Sequence, residues 1–439
     1  MFPKEVESVL QALEGAGYRA YAVGGCVRDL LRGVEPDDYD ITTSARPEEV
    51  MALFKGHCIP TGLQHGTVTV RQNHRSFEVT TFRADGVYTD NRHPSEVFFS
   101  QSLEEDLRRR DFTINAMAMD LRGEVTDLYG GREDLQRGII RCVGDADTRF
   151  TEDALRIMRA LRFASRLGFT IEADTARSIR KNRALLQNIA VERILVEMNK
   201  LLTGAGAGQI LLDYPEVLQV FLPEIAPCVG FEQHSKYHCY TVWEHIVHAV
   251  ESVAAEPILR WTMLLHDIAK PPCFFTDEQG EGHFYGHPQR SAEMAAEITR
   301  RLKFDKRSAQ RIVLLVEWHD REIAPTHKSV RRVLNAIGEE ALRQLLQVKR
   351  ADNMAQHEKF RYRLKEIDAV EAVMDELLAQ ECCFSLKQLA VNGRDLMALG
   401  LQGSEIGAAL DALLQKVMDG ELPNEKDALV QYVKEKKKP

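Results

Sequence analysis

A chain of 439 residues with 66 Asp and Glu against 57 Lys and Arg, net charge −9, has material for about three domains and lacks the overall basic surface of a protein coated with nucleic acid, so any RNA must be held by local patches. No apolar run approaches the roughly 20 residues that span a bilayer, and no basic-then-apolar leader opens the sequence; no membrane partner is expected, and a cytoplasmic protein is. Eight cysteines, at 26, 58, 142, 228, 239, 273, 382 and 383, include no Cys-x-x-Cys pair, which argues against a disulfide scaffold or a zinc knuckle and predicts buried thiols in a reducing compartment.

Residues 1–145 mix strand and helix signals and predict an α+β head, a small mixed sheet with helices. A helix over 4–14 leads through Gly15 and Gly17 into a strand Tyr18–Val23. Helices follow near 27–32 and 47–54, then Val- and Thr-rich strands at Gly66–Arg71 and Ser76–Phe82. The polar segment from Arg83 to Val97, with Gly86, Asn91 and Pro94 and no apolar period, reads as a mobile loop close to the site. From residue 150 the pattern is helical, with Thr151 as N-cap, Glu152 and Asp153 in the first turn, and Leu155, Met158, Leu161 and Leu167 at helical spacing. The tract Gly204–Gly208 interrupts the run, and Pro223 and Pro227 mark a boundary. The all-α remainder thus divides into a neck and body over 146–229, a histidine-rich domain over 230–357 and a tail over 358–439.

The strongest chemical signal is Val23-Gly24-Gly25-Cys26-Val27-Arg28-Asp29, followed by Asp37-Asp38-Tyr39-Asp40. Paired glycines let backbone N–H groups approach a triphosphate, and the Arg28 guanidinium can grip it bidentately. On a strand, Asp38 and Asp40 project from one face and can hold one or two hard cations while Tyr39 points away. That is a phosphoryl-transfer site in outline. Glu78, on the strand Phe77–Phe82 with Thr80 and Phe82 on its face, offers a third carboxylate to complement the metals and help deprotonate an attacking hydroxyl.

Arg108-Arg109-Arg110-Asp111 concentrates cation and acceptor in one loop, which suits a triphosphate together with a sugar hydroxyl. On the following helix Asp153 and Arg156 stand one turn apart, an acceptor beside a donor fork. Cytosine and adenine both present an amino donor next to an unprotonated ring nitrogen and would match that pair. Uracil and guanine reverse the polarity and would be rejected, so the side chains could act as a template. Further basic patches lie at Arg159, Arg162 and Arg166, at Lys181 to Arg183, and in the tail Lys434-Glu435-Lys436-Lys437-Lys438.

Taken in order, these motifs resemble the class II tRNA nucleotidyltransferases, the CCA-adding enzymes of the polymerase-β-like nucleotidyltransferase superfamily. The matching residues are Gly-Gly-x-Val-Arg-Asp, Asp38-x-Asp40, Arg110-Asp111, Asp127-Leu-Tyr-Gly-Gly-Arg132, Glu152-Asp153-x-x-Arg156 and Glu192-Arg193. The resemblance implies a nucleotidyltransferase fold for the head and a nucleotide contacted by Gly25 and Arg28. It implies Mg²⁺ on Asp38 and Asp40, triphosphate and ribose at Arg110 and Asp111, and selection of CTP or ATP by Asp153 and Arg156 with Arg159 and Arg162 close by. Asp127–Arg132 would be the hinge that retunes the pocket from cytosine to adenine. tRNA is the implied partner, and no obligatory protein partner is evident. The length of the Arg83–Pro94 loop favours full CCA addition, with an A-adding specialist or a poly(A) polymerase as alternatives.

The second constellation is His245 in Tyr-Thr-Val-Trp-Glu-His, His266-Asp267, and Asp352 in Arg-Ala-Asp-Asn, with His287 and His319 between them. This set resembles the HD phosphohydrolase superfamily, whose core is His…His-Asp…Asp and which holds one or two divalent transition metals such as Ni, Mn, Co or Fe. His287 and His319 could complete a second metal site. The resemblance implies a phosphatase or 2′,3′-cyclic phosphodiesterase, and a rival reading makes this the physiological activity, with the head only presenting RNA.

Overall fold

The computed structural model describes residues 2–73, 75–85, 97–234, 239–379 and 386–436, in two compact units. One comprises Met1–Ala226 with Arg301–Lys303, and the other Pro227–Arg300 with Phe304–Pro439.

The first unit opens with α1 (Lys4–Gly15), whose Val6, Val9, Leu10 and Leu13 fall on one face at helical spacing and are fully buried. There follow β1 (Ala20–Val23), α2 (Gly25–Leu31), β2 (Asp40–Thr43), α3 (Pro47–Leu53), β3 (Cys58–Gly62), β4 (Thr67–Gln72) and β5 (Arg75–Thr81). After them come β6 (Arg83–Asp85), β7 (Val97–Phe99), α4 (Leu103–Arg108), β8 (Met117–Met119) and β9 (Val125–Asp127). Seven of these strands form one sheet in the order β3-β4-β5-β2-β1-β8-β9, with β2 and β5 parallel and the other pairs antiparallel. Alternation along β4 and β5 turns Val68, Val70, Phe77 and Val79 into the core beneath α1, where Tyr39, Ile41 and Met117 also lie.

The expected mixed sheet with helices is present, though β3, β8 and β9 carry too little alternating pattern to be read from sequence. β6 and β7 pair at the two ends of the segment expected to be a mobile loop. That loop itself, at 86–96, lies outside the described residues. Two details differ from expectation. The strand starts at Asp40, so Asp38 sits ahead of it, and Phe82 follows β5 fully buried instead of sharing Glu78's exposed face.

The unit continues with α5 (Gly131–Arg137), β10 (Ile139–Ile140), α6 (Ala146–Glu152), α7 (Leu155–Leu167), β11 (Thr170–Ile171) and α8 (Ala173–Asn182). α9 (Val191–Leu202), α10 (Ala207–Asp213) and α11 (Pro215–Leu218) complete it. Thr151 is not an N-cap. Its hydroxyl donates back to the Asp147 carbonyl at 2.9 Å in the last turn of α6, and the chain is extended at Asp153, with φ −136° and ψ 103°. The N-cap of α6 is Asp145, which accepts from Thr148 N at 2.8 Å.

The second unit is built from α12 (Val242–Ser252), α13 (Pro257–Leu265), α14 (Lys270–Cys273), the hairpin β12 (Phe275–Thr276) and β13 (Gly282–His283), and α15 (His287–Arg301). α16 (Lys306–Trp318), α17 (His327–Ile337), α18 (Glu339–Met354), α19 (Arg363–Ala379), α20 (Gly393–Ala398), α21 (Ser404–Met418) and α22 (Lys426–Lys436) follow. A separate small core of Leu389, Leu396, Leu413, Leu414, Leu429 and Val433 holds the last three helices together. No helix among the described residues is long and apolar enough to cross a membrane. Of the cysteines, 26, 142 and 228 are buried as expected, 58 and 273 are half-buried, and Cys239 is exposed; 382 and 383 lie outside the described residues.

Candidate active site and metal centre

β1 runs into Gly24, whose φ of +82° favours glycine and where a Cβ would stand 3.2 Å from Arg110 Nη1. In the sheet register Val23 faces Asp40, and Asp40 faces Glu78. Asp40 therefore lies between the glycine turn and Glu78, with Asp38 just ahead of the strand. Desolvation pushes the Asp40 carboxyl up, with Glu78 and Asp38 adding to the rise, while Arg110 pulls it down. Asp40, with Asp38 and Glu78 near enough to act on it, offers oxygen donors to a hard cation, and Arg110 beside it offers a guanidinium to a polyanion.

The arginines behind this edge are paired in the fold. Arg28 forms a fork with Asp29 at 2.9 and 2.8 Å and donates to Asn115 Oδ1 at 2.9 Å. Arg109 and Arg110 both contact the fully buried Asp106, at 2.6 and 3.2 Å. Asp111 is held by Arg159 at 2.8 and 2.6 Å; burial alone would raise its carboxyl, but Arg159 and Arg156 bring it down to about 2. Arg162 lies 3.0 Å from Glu197, and burial pushes its guanidinium down to about 10. Arg28, Arg159 and Arg162 all gather over the Phe163 ring, at 5.3, 5.5 and 4.0 Å from its centre.

Asp153 and Arg156 do not form the isolated helical pair expected. Asp153 precedes α7, accepting from Leu155 N at 3.0 Å and standing 3.4 Å from Arg193. Arg156 is turned to Glu152 at 2.6 Å and to the Arg109 carbonyl at 2.9 Å. The cause is the break at Asp153, which separates α6 from α7. Arg156 still borders the Arg109–Asp111 segment, through the Arg109 carbonyl and through its field on Asp111, while Asp153 acts on Arg159, the partner of Asp111.

Asp127 accepts from Gly131 N and Arg132 N at 2.8 Å each and so fixes the turn into α5. At Gly131 a Cβ would come within 2.3 Å of the Thr113 carbonyl, so this turn packs directly on the loop that carries Asp111.

In the second unit a capping box sets the start of α12: Thr241 Oγ1 accepts from Glu244 N, and Glu244 Oε2 accepts from Thr241 N at 2.9 Å. This aims His245 into the interior. Each of His245, His266, His287 and His319 has its Nδ1 within hydrogen-bond reach of a backbone carbonyl, those of Ala355, Met263, Phe284 and Val316, at 3.2, 2.7, 2.9 and 2.6 Å. A carbonyl only accepts, so Nδ1 carries the proton and Nε2 turns inward. His245 and His266 then oppose Nε2 atoms at 3.2 Å, and His287 and His319 at 3.3 Å.

Asp267 lies between the two pairs. Its Oδ2 is 3.1 Å from His245 and 3.3 Å from His266, and its Oδ1 is 3.2 Å from His287 and 3.6 Å from His319. Asp352 Oδ1 completes the first pair, 3.0 Å from His245. Neither Asp267 oxygen makes a hydrogen bond of regular geometry, although Lys270 Nζ is 2.6 Å away. Among the described residues, the groups of three or more potential ligands with atoms within 4.8 Å of one another are His245, His266, Asp267 and Asp352, and Asp267, His287 and His319. Converging imidazoles and a carboxylate fit divalent transition metals. The carboxylates make the centre favour a positive charge: burial alone would lower His266, but Asp267 and Asp352 raise it to about 10, so that a proton sits there until a metal displaces it, while His266 and Lys270 hold the buried Asp267 well below the usual range. The centre opens on a cleft of about 470 Å³ lined also by Lys270, His283, Tyr285 and Arg363.

Sequence reasoning missed Asp106, Asn115, Phe163, Glu197, Lys270 and Arg363. Asp106-x-x-Arg109-Arg110, an acid three and four residues ahead of two arginines, could have been found. Phe163 and Glu197 carry no such signal.

Three family models match the chain: "Poly A polymerase head domain" over residues 20–141, "Probable RNA and SrmB- binding site of polymerase A" over 168–229, and tRNA nucleotidyltransferase domain 2 over 287–433. A CCA-adding enzyme of Levilactobacillus brevis is 38% identical over 435 residues, covering 98% of both chains. One from Oceanobacillus iheyensis is 56% identical over 218 residues, 48% of this chain and 54% of that relative, so this match spans about half of the relative's length. The crystal structure of the Bacillus stearothermophilus CCA-adding enzyme in complex with CTP superposes with a TM-score of 0.76 at 34% identity, covering 99% of this chain and 98% of that one.

Proposed function

This chain belongs to the family of CCA-adding enzymes, which are tRNA nucleotidyltransferases, and from that premise we propose that it adds CMP and then AMP, from CTP and ATP, to the 3′ end of tRNA in the cytoplasm. The observation that carries this is the register of Asp40 with Glu78 beside the glycine turn, where Arg110 Nη1 occupies the space a Cβ at Gly24 would crowd, so that acids and a guanidinium lie where a triphosphate and a terminal hydroxyl can meet. Asp38 and Asp40 would hold Mg²⁺, which would supply charge neutralisation and a lowered pKa at the attacking hydroxyl. Arg28 and Arg110 hold the phosphates, Asp111 accepts from the ribose, and Glu78 takes the hydroxyl proton.

Asp153 and Arg156 read the base, with Arg159 and Arg162 keeping the pocket rigid around Phe163. The Asp127–Arg132 turn, packed on the Asp111 loop, is suited to shift that loop between the two bases. Incubation with tRNA lacking CCA, Mg²⁺ and each labelled nucleoside triphosphate tests the reading: incorporation of C then A is expected. Incorporation of A alone identifies an A-adding enzyme, and incorporation of neither sinks the proposal.

A second reading concerns the histidine centre, favoured by Asp267 standing between two ligand sets. It is an HD-type phosphohydrolase centre in which His245, His266, Asp267 and Asp352 would hold one divalent transition metal, and Asp267, His287 and His319 a second. A divalent metal held by these residues would supply Lewis acidity for hydrolysis of a phosphate ester. Lys270 neutralises Asp267, and the carbonyl partners of the four Nδ1 atoms keep the imidazoles in the ligating tautomer. Hydrolysis of 2′,3′-cyclic AMP that survives loss of the head carboxylates tests it.

A further inference from the structure

The hairpin β12–β13 and Tyr285 just after it carry an open group of rings at the rim of the histidine cleft. Phe275 and His283 are register partners across it, with ring centres 5.3 Å apart and planes at 30°. His283 stacks on Tyr285 at 5.4 Å and 15°, and Phe275 lies 5.5 Å from Tyr285. Large aromatic rings are normally buried, yet Phe275 is 45% exposed and Tyr285 75% exposed. The group is also held in place: His283 Nε2 is 2.7 Å from Asp277 Oδ2, and the next residue, Phe284, gives its carbonyl to the Nδ1 of His287.

His283, Phe284 and Tyr285 line the same cleft as Asp267, His287 and His319. Arg363 lines this cleft and also an adjoining one of about 740 Å³ that Lys349 enters. On the phosphohydrolase reading, one end of the cleft is a phosphate-ester centre with cations beside it, and the rim carries exposed rings, of which His283 and Tyr285 are nearly parallel and Phe275 is tilted against them. A ligand that satisfies both is a nucleotide or an RNA end: its base stacks at the rim while its phosphate reaches the metal ligands.

We propose that Phe275, His283 and Tyr285 form a nucleobase platform for the histidine centre, which makes that centre a nucleotide hydrolase acting on base-bearing phosphates. The proposal rests on the phosphohydrolase reading of the centre. The occupant is the base of the substrate itself, because the rings are continuous with the metal-ligand cleft through Phe284 and His287.

The test compares the full-length wild type with Tyr285→Ala, Tyr285→Trp and Phe275→Ala on 2′,3′-cyclic AMP and on glycerol 1,2-cyclic phosphate, which lacks a base. Loss of a stacking ring lowers kcat/KM for the nucleotide about 5- to 150-fold, mainly through KM, with the base-free ester unchanged and Tyr285→Trp close to wild type. An equal change on both esters, or none on either, overturns the platform. A second readout needs no turnover: the fluorescence of 2-aminopurine riboside 2′-phosphate, which stacking quenches, is titrated with the same proteins without added metal. A quench that Tyr285→Ala removes supports the platform, and a quench identical in both proteins overturns it. If the wild type hydrolyses neither ester, the hydrolase reading fails, and the Tyr285-dependent quench still decides whether the rings bind a base.

Discussion

Asp40 and Glu78 face one another in register across the parallel pair β2–β5, and Val23, the last residue before the glycine turn, faces Asp40 from the antiparallel side. A strand from each side therefore fixes the carboxylate, so its position does not depend on a loop. We expect Asp40→Asn to lower C and A incorporation on the order of 10²- to 10³-fold, the equivalent of several kcal/mol of lost charge stabilisation at the metals. Glu78→Gln should cost less, because it removes a proton acceptor while Asp38 and Asp40 remain. Both variants should hydrolyse 2′,3′-cyclic AMP at the wild-type rate. Loss of both activities together would mean that the centres are not independent.

Asp267 touches both ligand sets of the histidine centre, whereas Asp352 joins the first set through His245 and His266. Asp267→Asn should therefore reduce bound Mn²⁺ or Ni²⁺ at both positions, and His319→Ala at only one. Metal analysis of dialysed protein gives the stoichiometry, and loss of hydrolysis with intact CCA addition gives the functional counterpart. Equal loss in the two variants would argue against separate sites.

The legibility of these centres followed from how local their determinants are. The Gly-Gly-x-x-Arg-Asp turn and the His-Asp pair are contiguous, so the elements that carry them were readable. The break at Asp153 was not: Thr151, Glu152 and Asp153 form an acceptable helix start by composition, and the extended backbone at Asp153 is a product of packing. The 2.9 Å contact between Arg156 and the Arg109 carbonyl joins positions 47 residues apart, which no local pattern encodes. Likewise Phe163 gained its role only when three arginines from two separate segments met over its ring. The two histidine pairs were legible as residue types, but the bridging place of Asp267 required the fold.

Arg156 ties base selection to the rest of the pocket through Glu152 and the Arg109 carbonyl. Arg156→Ala should weaken discrimination of CTP against UTP by about 5- to 150-fold, the worth of a bidentate base contact. Glu152→Gln, which leaves the guanidinium but loosens its anchor, should give a smaller loss of the same kind. Competition assays with labelled CTP and unlabelled UTP measure both. Unchanged rejection of UTP in Arg156→Ala would remove the protein-template role from this residue.

Asp111 and Arg159 form a charged contact behind the site, with Asp111 buried, and the pair makes stability depend on pH in a defined direction. Arg159, helped by Arg156, holds the Asp111 carboxyl at about 2 in the folded chain, below the usual carboxylate range near 4. A carboxyl with a depressed folded pKa contributes stability that is fully present above its unfolded pKa and is lost as pH falls through the folded value. At neutral pH the contribution is on the order of 2 kcal/mol. Asp111→Asn should therefore lower the denaturation midpoint at pH 7, and the gap from wild type should narrow as pH drops from about 4 toward 2. Urea titrations of both proteins across that range provide the check. A gap that stays constant would mean that Asp111 supports the fold through its hydrogen bonds to Phe112 N and Asn115, which an amide oxygen can replace only in part, and not through its charge.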